Sequence, residues 1–193
     1  MKATYIVNDS KIANVLIDPM RRAILNLLSQ NPMTQAQLAG DLGLSGASLN
    51  YHMKILRSKK LVVVAKREFE RHRLRQIFFL AAAYLFVYDL DSLPKHIARY
   101  FFPVSLERAR AVISLLMIKD HVQIDRSPNI SSSFSELLSR QLVKVAKAYE
   151  EKEVDYGHEK VMYEIYTKAI SKVLDKNKDL LLTKKLVMSI HNK

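Results

Sequence analysis

Ser45, Ser48, Asn50, Tyr51, Lys54 and Arg57 lie close together in the chain, spaced so that one helix would turn them away from Leu49, Met53 and Leu56. An asparagine amide both donates and accepts, which matches the major-groove edge of adenine, and a tyrosine can reach a base or a phosphate. Lysine and arginine a turn further on neutralise phosphates. The entrance, Ser45-Gly46-Ala47-Ser48, consists of small residues, so a backbone could come close to a polyanion there. Lys66, Arg67, Arg71 and Arg73 form a second basic group, suited to phosphates or a minor groove. Thr34 and Gln35, which open the preceding helix, could touch the nucleic-acid backbone. Each residue also has a plainer use. Ser45 can be only a helix cap, and Tyr51 can be ordinary surface. His52 falls on the inner side as a packed histidine. Arg71 and Arg73 can pair with Glu68 and Glu70, although exposed pairs of this kind contribute only about 0–1 kcal/mol.

Charge supports the same chemistry. The 193 residues carry a net charge of +12. From Lys54 to Arg75 nine residues are basic and two acidic, a density expected of a polyanion binder. The composition, 49% hydrophobic and 26% charged, is that of a globular protein. With no cysteine, disulfides and thiolate metal sites are excluded. Three of the four glycines lie within Gly40–Gly46, which leaves no glycine-rich phosphate cradle. The six histidines are scattered without HExxH spacing, so no catalytic residue, metal ligand or cofactor is expected. Asn8, Asp9, Ser10 and Lys11 interrupt any signal-peptide core, and the longest apolar run, Ile77 to Tyr88, is too short to span a bilayer. The expectation is a cytoplasmic protein with no membrane partner.

The elements that must position these residues follow from caps and periodicity. After a short extended arm with alternation at Tyr5 and Val7, Asp9 or Ser10 can cap a helix to about Ile17. Asp18-Pro19 restarts it, the proline standing where its missing N–H costs nothing, and Asn31-Pro32 stops it. Thr34 and Gln37 have capping-box spacing, and Gly43 suits a left-handed cap. Ser45 then opens a helix through about residue 59. Beyond Lys60 the period changes: Leu61–Val64 and Leu74–Phe79 read as strands joined by a basic loop from Lys66 to Arg73. The expected fold is mainly α with a small β-hairpin wing, a winged helix-turn-helix domain over 1–90 followed by a helical region over 91–193.

Three segments also resemble a known family in the right order. Asp18-Pro19-Met20-Arg21-Arg22-Ala23-Ile24-Leu25-Asn26-Leu27-Leu28 resembles the opening of ArsR-type regulators. Thr34 to Ser45 resembles that family's "ELAxxLGLS" segment, and Leu49 to Leu56 its "VSxHLKxL" recognition helix. The resemblance covers residues 10–80 and implies a winged helix that binds double-stranded DNA as a transcription regulator, with helix 45–59 in the major groove and wing 61–80 on backbone or minor groove. A looser similarity is to archaeal regulators that append a long helical region. Metal-sensing members carry a cysteine pair, impossible here, or Asp/His ligands on a dimerisation helix, for which no matching spacing occurs. The resemblance therefore implies DNA binding and nothing about metals.

In the second half, Ser92-Leu93-Pro94 restarts a helix toward Phe102, Ser105 caps another to about Lys119, and Ser127–Ser133 reads as a polar linker. Leu138, Leu142, Val145 and Tyr149 then alternate by four and three, and Met162, Ile165 and Ala169 continue the pattern after a break at Asp155-Tyr156-Gly157. These residues are the expected seam of a homodimer, because one reading helix covers too few base pairs while a twofold dimer covers two half-sites. Tyr84, Phe86, Tyr88, Tyr100, Phe101 and Phe102 are expected mainly as core, with a small-molecule effector pocket as the other use. The functional expectation is a homodimeric repressor. The rival classes are a winged-helix protein–protein assembly module and a non-specific chromatin-coating protein.

Overall fold

The computed structural model describes residues 1–69, 75–120 and 128–176. Among these residues the order is β1 (Lys2–Val7), α1 (Ser10–Ile17), α2 (Pro19–Gln30), α3 (Gln35–Asp41), α4 (Gly46–Ser58), β2 (Val62–Phe69), β3 (Arg75–Ala81), β4 (Ala83–Tyr88), α5 (Lys95–Ala98), α6 (Phe102–Asp120), α7 (Pro128–Lys147) and α8 (Glu159–Lys176). The protein is mainly helical, with a winged helix-turn-helix followed by a helical region.

Local chemistry sets the first half. Asp9 caps α1 by accepting the Lys11 amide at 2.8 Å, and Asp18 caps α2 by accepting the Met20 amide at 2.8 Å, with Pro19 behind it. Thr34 and Gln37 close a reciprocal capping box on α3. Such caps each stabilise a helix by about 0.5–2 kcal/mol. Between α3 and α4 the chain turns at Gly43, whose φ of +62° is the left-handed region where a side chain would be strained. Ile24, Leu28, Leu38, Leu49, Met53, Leu56 and Leu61 converge in a first core, all fully or almost fully buried. β2 and β3 form the antiparallel wing, and a two-way backbone bridge between Met33 and Phe79 ties the wing's base to the segment before α3.

A second core gathers Phe134, Leu138, Leu142, Val145 and Ala146 of α7, Tyr149 in the turn after it, Ala109 and Ile113 of α6, and Val161, Ile165, Ala169 and Val173 of α8. The wall between the two cores is a parallel pair, β1 with β4, in the register Tyr5 to Phe86 and Ile6 to Val87. Strand alternation divides its side chains: Tyr5, Val7, Phe86 and Tyr88 face the first core, while Ile6, Leu85 and Val87 face the second. Burial on both faces is how parallel strands usually occur. The other edge of β1 is occupied too, since the Ala3 amide donates to the Lys152 carbonyl and the Thr4 hydroxyl donates to the Ala146 carbonyl. At Gly157 (φ +69°) the turn before α8 donates its amide to the Ser29 carbonyl at the end of α2, so close that a Cβ would sit 3.3 Å from the Gln30 carbonyl.

Four sequence expectations are corrected here. The Ser127–Ser133 linker is helical from Pro128 onward, because proline is tolerated in a first turn and the stripe beginning at Phe134 extends the helix backward. Ser105 does not cap a helix; it lies inside α6, which begins at Phe102. The restart at Ser92 yields only the single turn α5. Lys66 to Phe69, expected in a loop, pair with Arg75 to Phe78 as strand.

The expected seam residues pack within the chain. Leu138, Leu142, Val145, Tyr149, Ile165 and Ala169 are buried in the chain's own second core, and Met162 packs against it half-buried. The four-three alternation is satisfied within one chain, by α6, α7, α8 and the β1–β4 wall.

Candidate nucleic-acid interface

α4 exists because Ser45 ends the turn in an extended conformation and its hydroxyl accepts the Ser48 amide at 3.2 Å. Leu49, Met53 and Leu56 are then held in the core, which forces the opposite face outward. Ser45, Asn50, Tyr51, Lys54 and Arg57 are exposed and Ser48 half-exposed. Tyr51 is 61% exposed, so its ring contributes little to packing. Unpaired amides and the helix dipole give the small-residue entrance at Ser45–Ser48 a partial positive charge.

The wing leaves the end of α4 through Lys60, which adopts the left-handed φ of +56° that turns the chain sharply. Asn50, Lys54, Arg57 and Ser58 of α4 and Val62 and Val64 of β2 consequently line one groove. The Arg57 guanidinium lies 5.4 Å from the centre of the Phe79 ring in β3, which holds it at the junction of helix and wing. Past Val64 the pairing shifts by one residue at Ala65, a bulge that re-aims the outer wing. Lys66 bridges to Glu68 at 2.7 Å and lies over the Phe78 ring at 4.6 Å, while Arg67 is exposed in the same strand. Arg71 and Arg73 lie outside the described residues.

The supporting helix contributes less freely. Thr34 has its amide and hydroxyl engaged with Gln37, and Gln35 is half-buried. His52 is packed, with Nδ1 3.5 Å from the Asp18 carboxylate but outside hydrogen-bond geometry; Arg21 reaches the same carboxylate at 3.5 Å. Ser58, Val62 and Val64 complete the groove and were not among the expected residues. Their only sequence signal was adjacency to the turn at Lys59-Lys60.

The aromatic middle is divided. Tyr84, Phe86, Tyr88 and Phe101 line a half-open cavity of about 270 Å³, with Tyr88 and Phe101 stacked 4.0 Å apart, whereas Tyr100 is exposed. Burial pushes the Tyr88 hydroxyl up to about 12, opposed by the nearby positive charges of Arg22 and Arg108. Among the described residues no group of three or more His, Asp or Glu side chains is placed to hold a metal, and no helix is long and apolar enough to cross a membrane.

No curated protein matches this sequence. A solved structure of Lactococcus lactis ZitR, a C30AH42A mutant in apo form, is similar at 14% identity over 69% of this chain and 84% of that one, with a TM-score of 0.30. The family model described as "Bacterial regulatory protein, arsR family" matches residues 18–63, the span from the Asp18 cap through α4 to the first residues of the wing. Residues 18–63 are therefore an ArsR-family helix-turn-helix of the kind that serves DNA-binding transcription regulation, set within a longer chain.

Proposed function

We propose that this protein is a cytoplasmic, sequence-specific regulator of transcription that binds double-stranded DNA as a homodimer and represses by blocking promoter access. α4 enters the major groove, with Asn50 and Tyr51 meeting base edges, Ser45 and Ser48 admitting a phosphate, and Lys54 and Arg57 on the backbone. The wing, with Lys66, Arg67, Arg71 and Arg73, follows the backbone or the adjacent minor groove. The observation that carries this reading is the shared groove: the exposed polar face of α4 and the base of β2 lie side by side, uncovered by other described elements.

Recovering bound fragments from genomic DNA and titrating them against the full chain tests it. Affinity should fall steeply with salt, log K dropping by about 0.9 for each phosphate neutralised. Scrambled duplexes should bind at least 100-fold more weakly. Equal affinity for every duplex would favour chromatin coating, and no binding at any salt would favour protein assembly. Sedimentation of the free protein and of the complex tests the dimer, and a purely monomeric complex would remove it.

A further inference from the structure

We infer that the cavity between the two cores is a binding site for a small amphipathic monocarboxylate, a compact apolar body with one anionic head. It opens where α2, β4, α6 and α7 meet, and its volume, about 270 Å³, lies just below the range of about 300–1,000 Å³ usual for ligand pockets. That suits a metabolite the size of an aromatic or branched-chain acid. Leu25, Phe86, Phe101, Val104 and Leu142 give it apolar walls.

The charged part of the lining has one sign. Arg22 and Arg108 both contribute, and among the described residues no aspartate or glutamate does. Neither guanidinium makes an ion pair to a described residue. One nitrogen of Arg22 donates to the carbonyls of Leu16 and Ile17, both at 2.7 Å, which fixes the group in place. Arg108 lies over the Tyr166 ring at 5.4 Å. The two cations approach the buried Tyr88 phenol, which stays protonated and so remains a hydrogen-bond donor. One anchored and one nearby cation, with a phenol donor beside an apolar cavity, match a carboxylate, which accepts bidentate bonds from arginine. Uncompensated charge in a partly enclosed site is costly, and an anion would relieve it.

The position gives the ligand a use. Arg22 and Leu25 are on α2, which packs against the reading helix α4, while Ser105 and Arg108 belong to α6 and Leu142 to α7. An acid held between them ties the winged helix to the C-terminal region and fixes the direction in which α4 points. This regulatory half rests on the DNA-binding reading above; the binding half does not.

Thermal melting of the full chain with hexanoate, 4-methylpentanoate and phenylacetate, each beside its neutral amide, tests the site. At least one acid should raise Tm in a concentration-dependent way while its amide does not, as expected for a ligand that binds only the folded state. R108M should weaken that acid at least tenfold. R108K, which keeps the charge and loses the fork, should weaken it less. No rise with any of the acids, equal rises with the amides, or unchanged affinity in both folded variants would overturn the site. The same acid should change affinity for a recovered DNA fragment by 5-fold or more, a typical allosteric coupling. Binding of the acid without any change in DNA affinity would overturn the regulatory half alone. Failure of the protein to bind DNA at all would overturn the functional reading and leave the ligand site standing.

Discussion

α4 and α7 carry the same kind of apolar stripe and use it differently. In α4, Leu49, Met53 and Leu56 are buried and the opposite face is basic and open. In α7, Leu138, Leu142 and Val145 are buried, as is Tyr149 just past its end, and so are Phe134, Val143 and Ala146, because α6, α8 and the β1–β4 wall surround the helix. The stripe alone reads as "faces something apolar" in both. Only the other face tells them apart: Asn50, Lys54 and Arg57 are exposed on α4 with no ion pair to a described residue, whereas the polar residues of α7 include Arg140, held by Asp91 at 2.7 Å. A periodic stripe reports burial and leaves the identity of the covering element open.

The comparison can be broken most sharply at the cores. L28A in the first core and L138A in the second should each cost about 2–5 kcal/mol, since both side chains are fully enclosed. Because the β1–β4 wall contributes side chains to both cores, thermal unfolding of either variant should remain a single transition at lower Tm. Two separated transitions would show that the halves are independent units.

The double variant K54E/R57E should lower DNA affinity by 100-fold or more and flatten the salt dependence, with Tm unchanged. The matching reversal on α7, K144E/K147E, should leave affinity within about twofold, since those lysines sit on the other region. Equal losses from both pairs would erase the distinction between the two helices.

Caps give a smaller contrast. D18A removes the cap of α2 and the neighbour of Arg21 and His52, and should cost about 0.5–2 kcal/mol in denaturant titration. Losing the cap should weaken DNA binding as well, through the packing of α2 on α4.

The smallest expected effect lies in the second region and depends on pH. Lys168 donates to Glu164 at 2.6 Å, the Tyr149 hydroxyl donates to the same oxygen at 2.7 Å, and together they pull the Glu164 carboxyl from its ordinary 4.5 down to about 2. A carboxyl depressed by folding adds stability above about pH 4.5 and loses it as pH falls toward 2. E164Q should therefore lower Tm modestly at pH 7 and converge with the parent toward pH 2, which flattens the acid limb of Tm against pH between those values. An unchanged acid limb would show that the cluster contributes nothing to joining α7 and α8.

The winged half was legible because its signals are local. Asp18-Pro19, the Thr34/Gln37 box, Gly43 and Ser45 each act within four residues, and each stands where the spacing placed it. The exposed face of α4 followed from those caps plus one stripe. The α6–α8 region was less legible because helical serines at Ser131–Ser133 look like a linker until Phe134 and Leu138 have a partner to bury against. The aromatic part of the cavity was visible in the sequence as the run holding Tyr84, Phe86, Tyr88 and Phe101, but its arginines were not, since Arg22 and Arg108 are far apart in the chain.

By itself the sequence determined most helix starts and stops, the basic outer face of α4 and the hairpin that follows it, because caps, turns and charge density act over a few residues. The tertiary structure decided that the β1–β4 pair would divide two cores, that the α7 stripe would close on its own chain, and that two arginines would meet beside one cavity. Those outcomes depend on which distant surfaces come within a few ångströms of each other, and no local spacing encodes that.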